Sequence, residues 1–128
     1  KMRLKERDFS SFFDMKKAVS FAKKCIEKKA SFVCYRSLIN YHSETIFDYI
    51  DYDEALFWLE EAEGILKNHD AYHQILFKKG YAYLKWPNVK TDRVKAREYF
   101  QRAIKSGKSG FMMPQDQKFY EDMIQQTY

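Results

Sequence analysis

An all-α fold of about six helices is what this sequence predicts, and three observations predict it. Four glycines and two prolines punctuate the 128 residues, too few for an all-β chain that turns every 8–12 residues. Apolar residues recur at alternating three- and four-residue intervals, which draws a stripe along a helix. A stripe also recurs. "YDEALFWLEEAEG" places Ala55, Leu59 and Ala62 on one face, and "RVKAREYFQRAIKSG" places Ala96, Phe100 and Ala103 at the same spacing 41 residues later. The chain is 45% hydrophobic and 18% aromatic, which supports a packed core and excludes wholesale disorder.

The first helix is predicted over 8–29. Asp8 or Ser10 can cap it, and Phe12, Met15, Val19, Ala22 and Ile26 form its apolar stripe. Lys16-Lys17, Lys23-Lys24 and Lys28-Lys29 fall on the other side. A second helical run covers 31–49, with Phe32, Tyr35, Leu38, Ile39, Ile46 and Phe47 as its apolar positions. "DYIDYD" interrupts it and supplies acidic caps for a third helix over 52–67. Gly64 weakens the last turn of that helix by up to ~1 kcal/mol relative to alanine.

A fourth helix covers 70–85 and stops at "WPNVKTD", because the residue before Pro87 is pushed out of the α region. Thr91 can cap a fifth helix over 92–106, with Gly107 as its C′ residue. "SGKSGFMMP" is predicted as a loop. A sixth helix starts at Pro114 or Gln115, where a missing N–H costs nothing. It runs to Gln126 with Phe119, Met123 and Ile124 turned inward.

Charge is banded. Residues 1–36 carry a net +7, 37–72 a net −8 and 73–128 a net +6, within a total of +5. Such banding fits layers that attract one another, a charged partner, or solvated helix faces. No run reaches the ~18 apolar residues of a membrane span. "KMRLKER" is not followed by the apolar segment of a signal peptide. A chain that opens at Lys1 with Met2 second fits a piece of a longer protein.

Cys25 and Cys34 match neither a CxxC nor a zinc spacing, so they are read as reduced thiols of a cytoplasmic protein, with a single bridge as the alternative. His69 and His73, four apart, are read as an exposed pair; no third ligand completes a metal set, and His42 stands alone. Glu60, Glu61 and Glu63 are read as a solvated acidic face. No nucleophile elbow, phosphate-binding loop, dinucleotide fingerprint or HExxH occurs. Nothing argues for an enzyme, and no cofactor or metal is implied.

The repeated stripe has a packing reason. Antiparallel helices approach closely only where side chains are short, and a large residue fills the hole beside the alanine. A mid-helix glycine, Gly80 in "KKGYAYL", also marks a close backbone approach. These residues resemble the tetratricopeptide repeat (TPR). Tyr52, Asp53, Glu54 and Ala55 match its second-helix opening, followed by Leu59 and Ala62. Gly80, Tyr83, Ala96, Phe100 and Ala103 fall in place in a second unit. Leu76 replaces the family's Trp, Ser43 and Ile46 stand where Gly and Tyr are expected, and Lys67 and Lys108 replace its prolines. The loop after Lys85 is about four residues longer than the family's turn.

The resemblance implies a right-handed array of antiparallel helix hairpins. Its parts are an N-terminal helix over 8–35, TPR-like units over 36–69 and 70–108, and a capping helix over 114–127, in one helical domain or fragment spanning 1–128. It implies a protein- or peptide-binding scaffold, with the first helix of each pair lining the groove. Position by position, that gives Ser37, Asn40, Tyr41 and Glu44, then Gln74, Phe77, Lys78, Tyr81 and Lys85. Asn or Gln there can pair with a ligand's backbone amide. The lysine- and tyrosine-rich style also resembles the repeat regions of bacterial and phage peptide-sensing regulators, the Rap, PlcR and arbitrium-receptor group. The expected partner is therefore a protein or short peptide. The alternatives are an oligomerising segment that binds its own copy, and a nucleic-acid-associated protein using the lysine pairs, ranked below for lack of a DNA-reading motif. No membrane partner is expected.

Overall fold

The computed structural model describes residues 2–128, with side chains from Met15 onward. Among the described residues there are six α-helices and no strand. They are α1 (Met2–Lys28), α2 (Phe32–Ser43), α3 (Tyr52–Ile65), α4 (Tyr72–Lys85), α5 (Arg93–Ser109) and α6 (Pro114–Gln125), with a single 3-10 turn over Thr45–Phe47. The all-α prediction and the helix count hold. The chain divides into two compact units, residues 1–55 and 56–128, the division falling inside α3.

In the first unit α1 packs on α2. Val19 and Ala22 of the predicted α1 stripe are buried, as are Phe32, Tyr35, Leu38 and Ile39 of α2. The α1 helix begins at Met2 rather than at residue 8, so the Asp8 and Ser10 caps fall within it; the side chain of Phe12 lies outside the described ones. The second run ends at Ser43, six residues early. Ser43 donates to the Ile39 carbonyl at 2.7 Å, a local bond that competes with continuing the helix. Ile46, expected in the core, is 82% exposed as a result.

The cysteines correct the free-thiol reading. Cys25 and Cys34 form a disulfide across the α1–α2 turn, with Cα atoms 6.2 Å apart. That separation is within bridging reach. The turn brings together two positions that look unrelated in sequence.

The second unit is built on α4 and α5. They run antiparallel. Near the connecting loop the Asp92 amide donates to the Tyr83 carbonyl, and farther from it Phe77 packs on Phe100 at 5.3 Å between centroids. Between these contacts lies Gly80. A Cβ there would stand 2.7 Å from Phe100 Cε1 and 3.0 Å from the Ala96 carbonyl oxygen. The predicted close approach is therefore present. Ala55, Leu59, Ala62, Ala96, Phe100 and Ala103 are all 0% exposed, so both stripes are core.

The α5 boundaries differ from expectation. Asp92, not Thr91, caps it, accepting from the Lys95 amide at 3.0 Å. Gly107 is not a terminator: α5 continues to Ser109, and Gly107 is buried where Met112 folds back onto it. The α6 start is as predicted, with Pro114 first and the Asp116 carboxylate accepting from the Met113 amide at 3.3 Å. Met123 is buried, whereas Phe119 is 51% exposed.

Gly80→Ala should destabilise residues 56–128 by ~1–3 kcal/mol in urea unfolding. The clash with a buried ring outweighs the gain in helix propensity of at most ~1 kcal/mol. Cys25→Ser should lower stability by about 2–3 kcal/mol, the loop-closure entropy of a short bridged loop, measured against wild type with and without reductant.

Candidate functional site

The α4 helix is buried along Tyr72, His73, Ile75, Leu76, Lys79, Gly80 and Ala82. The opposite arc carries the second set of predicted groove residues. Gln74, Phe77, Lys78 and Tyr81 are half-buried and Lys85 is exposed. Gln74, Lys78, Tyr81 and Lys85 follow i, i+4, i+7, i+11 spacing and so share one face. Phe77 does not simply line a surface. It stacks on Tyr120 at 4.6 Å, packs on Phe100 at 5.3 Å and on Phe119 at 5.1 Å, and lies 6.2 Å from Tyr81. The result is an aromatic row that starts in the core at Tyr120 and Phe100 and ends at the surface at Phe119 and Tyr81.

The first set lies in the other compact unit, at the C-terminal end of α2. Asn40, Tyr41 and Glu44 are half-buried. The Asn40 carbonyl accepts from the Glu44 amide at 2.9 Å and closes the helix. Tyr41 meets the Phe47 ring edge-on at 5.1 Å.

Two polar clusters behind α4 escaped the sequence reading. Glu63 is not part of a solvated acidic face. One carboxylate oxygen accepts from Lys79 at 2.8 Å and the other from the Tyr99 hydroxyl at 2.7 Å, with Arg102 at 4.0 Å. Its backbone carbonyl accepts from the Tyr72 hydroxyl at 2.6 Å. The Lys79 side chain is 7% exposed and reaches Glu60 as well, at 3.6 Å. Lys79 and Arg102 also flank the Tyr99 ring at 5.6 and 4.8 Å. A signal was available: Lys79 lies on the same arc as Ile75, Leu76 and Ala82, and a lysine there must find a carboxylate.

Burial by itself would raise the Glu63 carboxyl. The hydrogen bonds from Lys79 and Tyr99 and the charges of Lys79 and Arg102 together hold it below its ordinary value of 4.5. Burial by itself would lower Lys79, but its bond to Glu63 and the nearby negative charge lift it above 10.5.

The second cluster is His73, which is 0% exposed and not an exposed partner of His69. The reason is that α4 begins at Tyr72, so His69 lies before the helix while His73 enters the core. Its Nε2 lies 2.7 Å from the Phe111 carbonyl and its Nδ1 2.7 Å from the Tyr120 hydroxyl. The carbonyl can only accept, so Nε2 carries the proton and Nδ1 accepts from Tyr120. Burial, and then the charge of Asp116, push the Tyr120 hydroxyl far above its ordinary value, so it stays a donor. Imidazole thus ties α6 and the loop before it to α4. At the other end of α6, Arg97 donates to the Thr127 hydroxyl at 2.9 Å and to its carbonyl at 3.0 Å.

The buried polar groups of these two clusters are matched to other protein groups, an arrangement that positions α4. What it leaves at the surface is the aromatic row and the polar face beside it. No family model matches this chain, and neither the curated proteins nor the solved structures yield a match.

Glu63→Gln should cost roughly 3 kcal/mol, since it removes the shorter of the two ion pairs of a buried lysine and leaves it Glu60 at 3.6 Å; Lys79→Met should cost less, because Glu63 keeps Tyr99 and Arg102. The pH dependence follows. The Glu63 contribution is complete above pH 4.5 and is lost as pH falls through the depressed folded value. The Lys79 contribution is complete below pH 10.5 and is lost as pH rises through the raised folded value. Denaturant midpoints should therefore be highest between these limits, and the acid-side loss should be smaller in Glu63→Gln.

Proposed function

We propose that this chain is a non-catalytic helical-repeat module, arranged as TPR-like antiparallel hairpins, that binds a protein or short peptide. The observation that carries the reading is the aromatic row Tyr120–Phe77–Phe119 with Tyr81 alongside. Its inner end is anchored in the core and its outer end is half-exposed, next to Gln74 and Lys78 on the same helix. Rigid aromatic rings give contact area at little entropic cost, and an adjacent amide and ammonium can engage a peptide backbone or carboxylate.

The buried Ala–Phe–Ala and Ala–Leu–Ala stripes and the Gly80 contact support the repeat-like arrangement. A peptide-responsive regulator is the more specific version of the proposal and rests on the sequence style alone. The bridge between Cys25 and Cys34 favours an environment oxidising enough to keep it closed, so the cysteines no longer support a cytoplasmic setting. No helix among the described residues is long and apolar enough to cross a membrane.

The test is selection of binders from a random peptide display library, followed by titration of the enriched peptides. Tyr81→Ala and Phe119→Ser should weaken them at least about tenfold while thermal unfolding stays close to wild type. Enriched peptides that bind both variants as tightly as wild type would reject the site. Unfolding of Tyr81→Ala would place that ring in the core.

A further inference from the structure

The first unit carries a separate cavity of about 710 Å³ between α1, α2 and the segment leading into α3. Its polar wall is made by Lys23, His42, Asp48, Tyr49, Asp51 and Glu54. The volume is that of a small-molecule pocket.

His42 is the feature the fold leaves unexplained. It is 5% exposed. Its Nδ1 lies 3.2 Å from the Tyr49 carbonyl, which can only accept, so Nδ1 carries a proton. The Tyr49 ring stacks on it at 5.6 Å and fixes its plane. Nε2 has no hydrogen-bond partner among the described residues and is closed to water. An unmatched buried ring nitrogen is a standing cost that a native core rarely carries.

The remaining chemistry of the wall points one way. Three carboxylates, Asp48, Asp51 and Glu54, face one lysine, and that lysine is already paired with Glu54 at 3.4 Å. In its neutral form His42 adds an acceptor, not a donor. A wall rich in acceptors and negative in charge disfavours anions and calls for a cation with several N–H groups. Among the described residues no set of three or more His, Cys, Asp or Glu side chains is grouped to hold a metal ion.

We propose that this cavity binds an organic cation, an ammonium or guanidinium group, from either a small free amine or a basic peptide side chain. The carboxylates hold the charge. The cation sits beside His42, which lines the same wall and carries an unmatched acceptor at Nε2. The site is independent of the α4 face, and its failure would leave that reading untouched.

The test is calorimetric titration of the full chain with agmatine and with the blocked tripeptide acetyl-Gly-Arg-Gly-amide. Tetramethylammonium serves as a cation without donors and inorganic phosphate as an anion. Agmatine, the peptide or both should bind with Kd of about 1 mM or tighter, and the tighter of the two identifies the source. Asp48→Asn keeps a residue that tolerates the positive φ of 52° at that position. It should weaken binding about tenfold, as should Glu54→Gln. The site is refuted if neither guanidinium probe saturates, if tetramethylammonium or phosphate binds as well, or if Asp48→Asn, shown to be folded, binds as tightly as wild type.

Discussion

The second unit depends on one contact, the seating of the Phe100 ring against the bare backbone of Gly80. A helix interior is an unfavourable place for glycine, and the chain tolerates one there because no Cβ fits in the 2.7 Å that would remain. The close approach puts Ala96 and Phe100 in the core and brings Phe77 onto Phe100. It also sets the rotation of α4. With Gly80 facing α5, Lys79 is forced inward beside it, and Tyr81 is left on the outer arc.

The polar interior follows from that rotation. Lys79 cannot be buried without an anion, so Glu63 is drawn in, and Tyr99 and Arg102 complete its coordination. His73, two turns before Gly80, enters the core on the same arc. It links Tyr120 of α6 to the carbonyl of Phe111, which fixes the helix that holds the aromatic row against Phe77. The candidate binding face is thus the outer side of a helix whose inner side is over-determined.

The helices, the two alanine stripes and the Gly80 contact were legible in the sequence, because each is a matter of local spacing and residue size. The corrections share a different cause. Gly107 resembles a helix terminator, yet Met112, five residues on, packs where a side chain would stand and the helix runs past it. Cys25 and Cys34 carry no recognised spacing; only the α1–α2 turn makes them neighbours. Glu63 reads as one more acidic surface residue until Lys79 and Tyr99 are placed opposite it. His73 reads as half of an exposed pair until α4 is seen to start between the two histidines. Each outcome is decided by how the folded chain packs or where an element begins, and the spacing of apolar residues reports neither. The proposed peptide face was named residue by residue, but Phe77 within it is shared with the core, and Phe119, assigned to the interior, is its exposed end.

The most direct test of the account is the stability of Gly80→Ala in two backgrounds, wild type and Phe100→Leu, by equilibrium urea unfolding. If the ring is what excludes a side chain at position 80, the alanine is destabilising in wild type. It becomes neutral, or stabilising by up to ~1 kcal/mol, once the ring is gone. The same loss in both backgrounds would mean that the two residues are not coupled, and that something other than this contact sets the packing of α4 on α5.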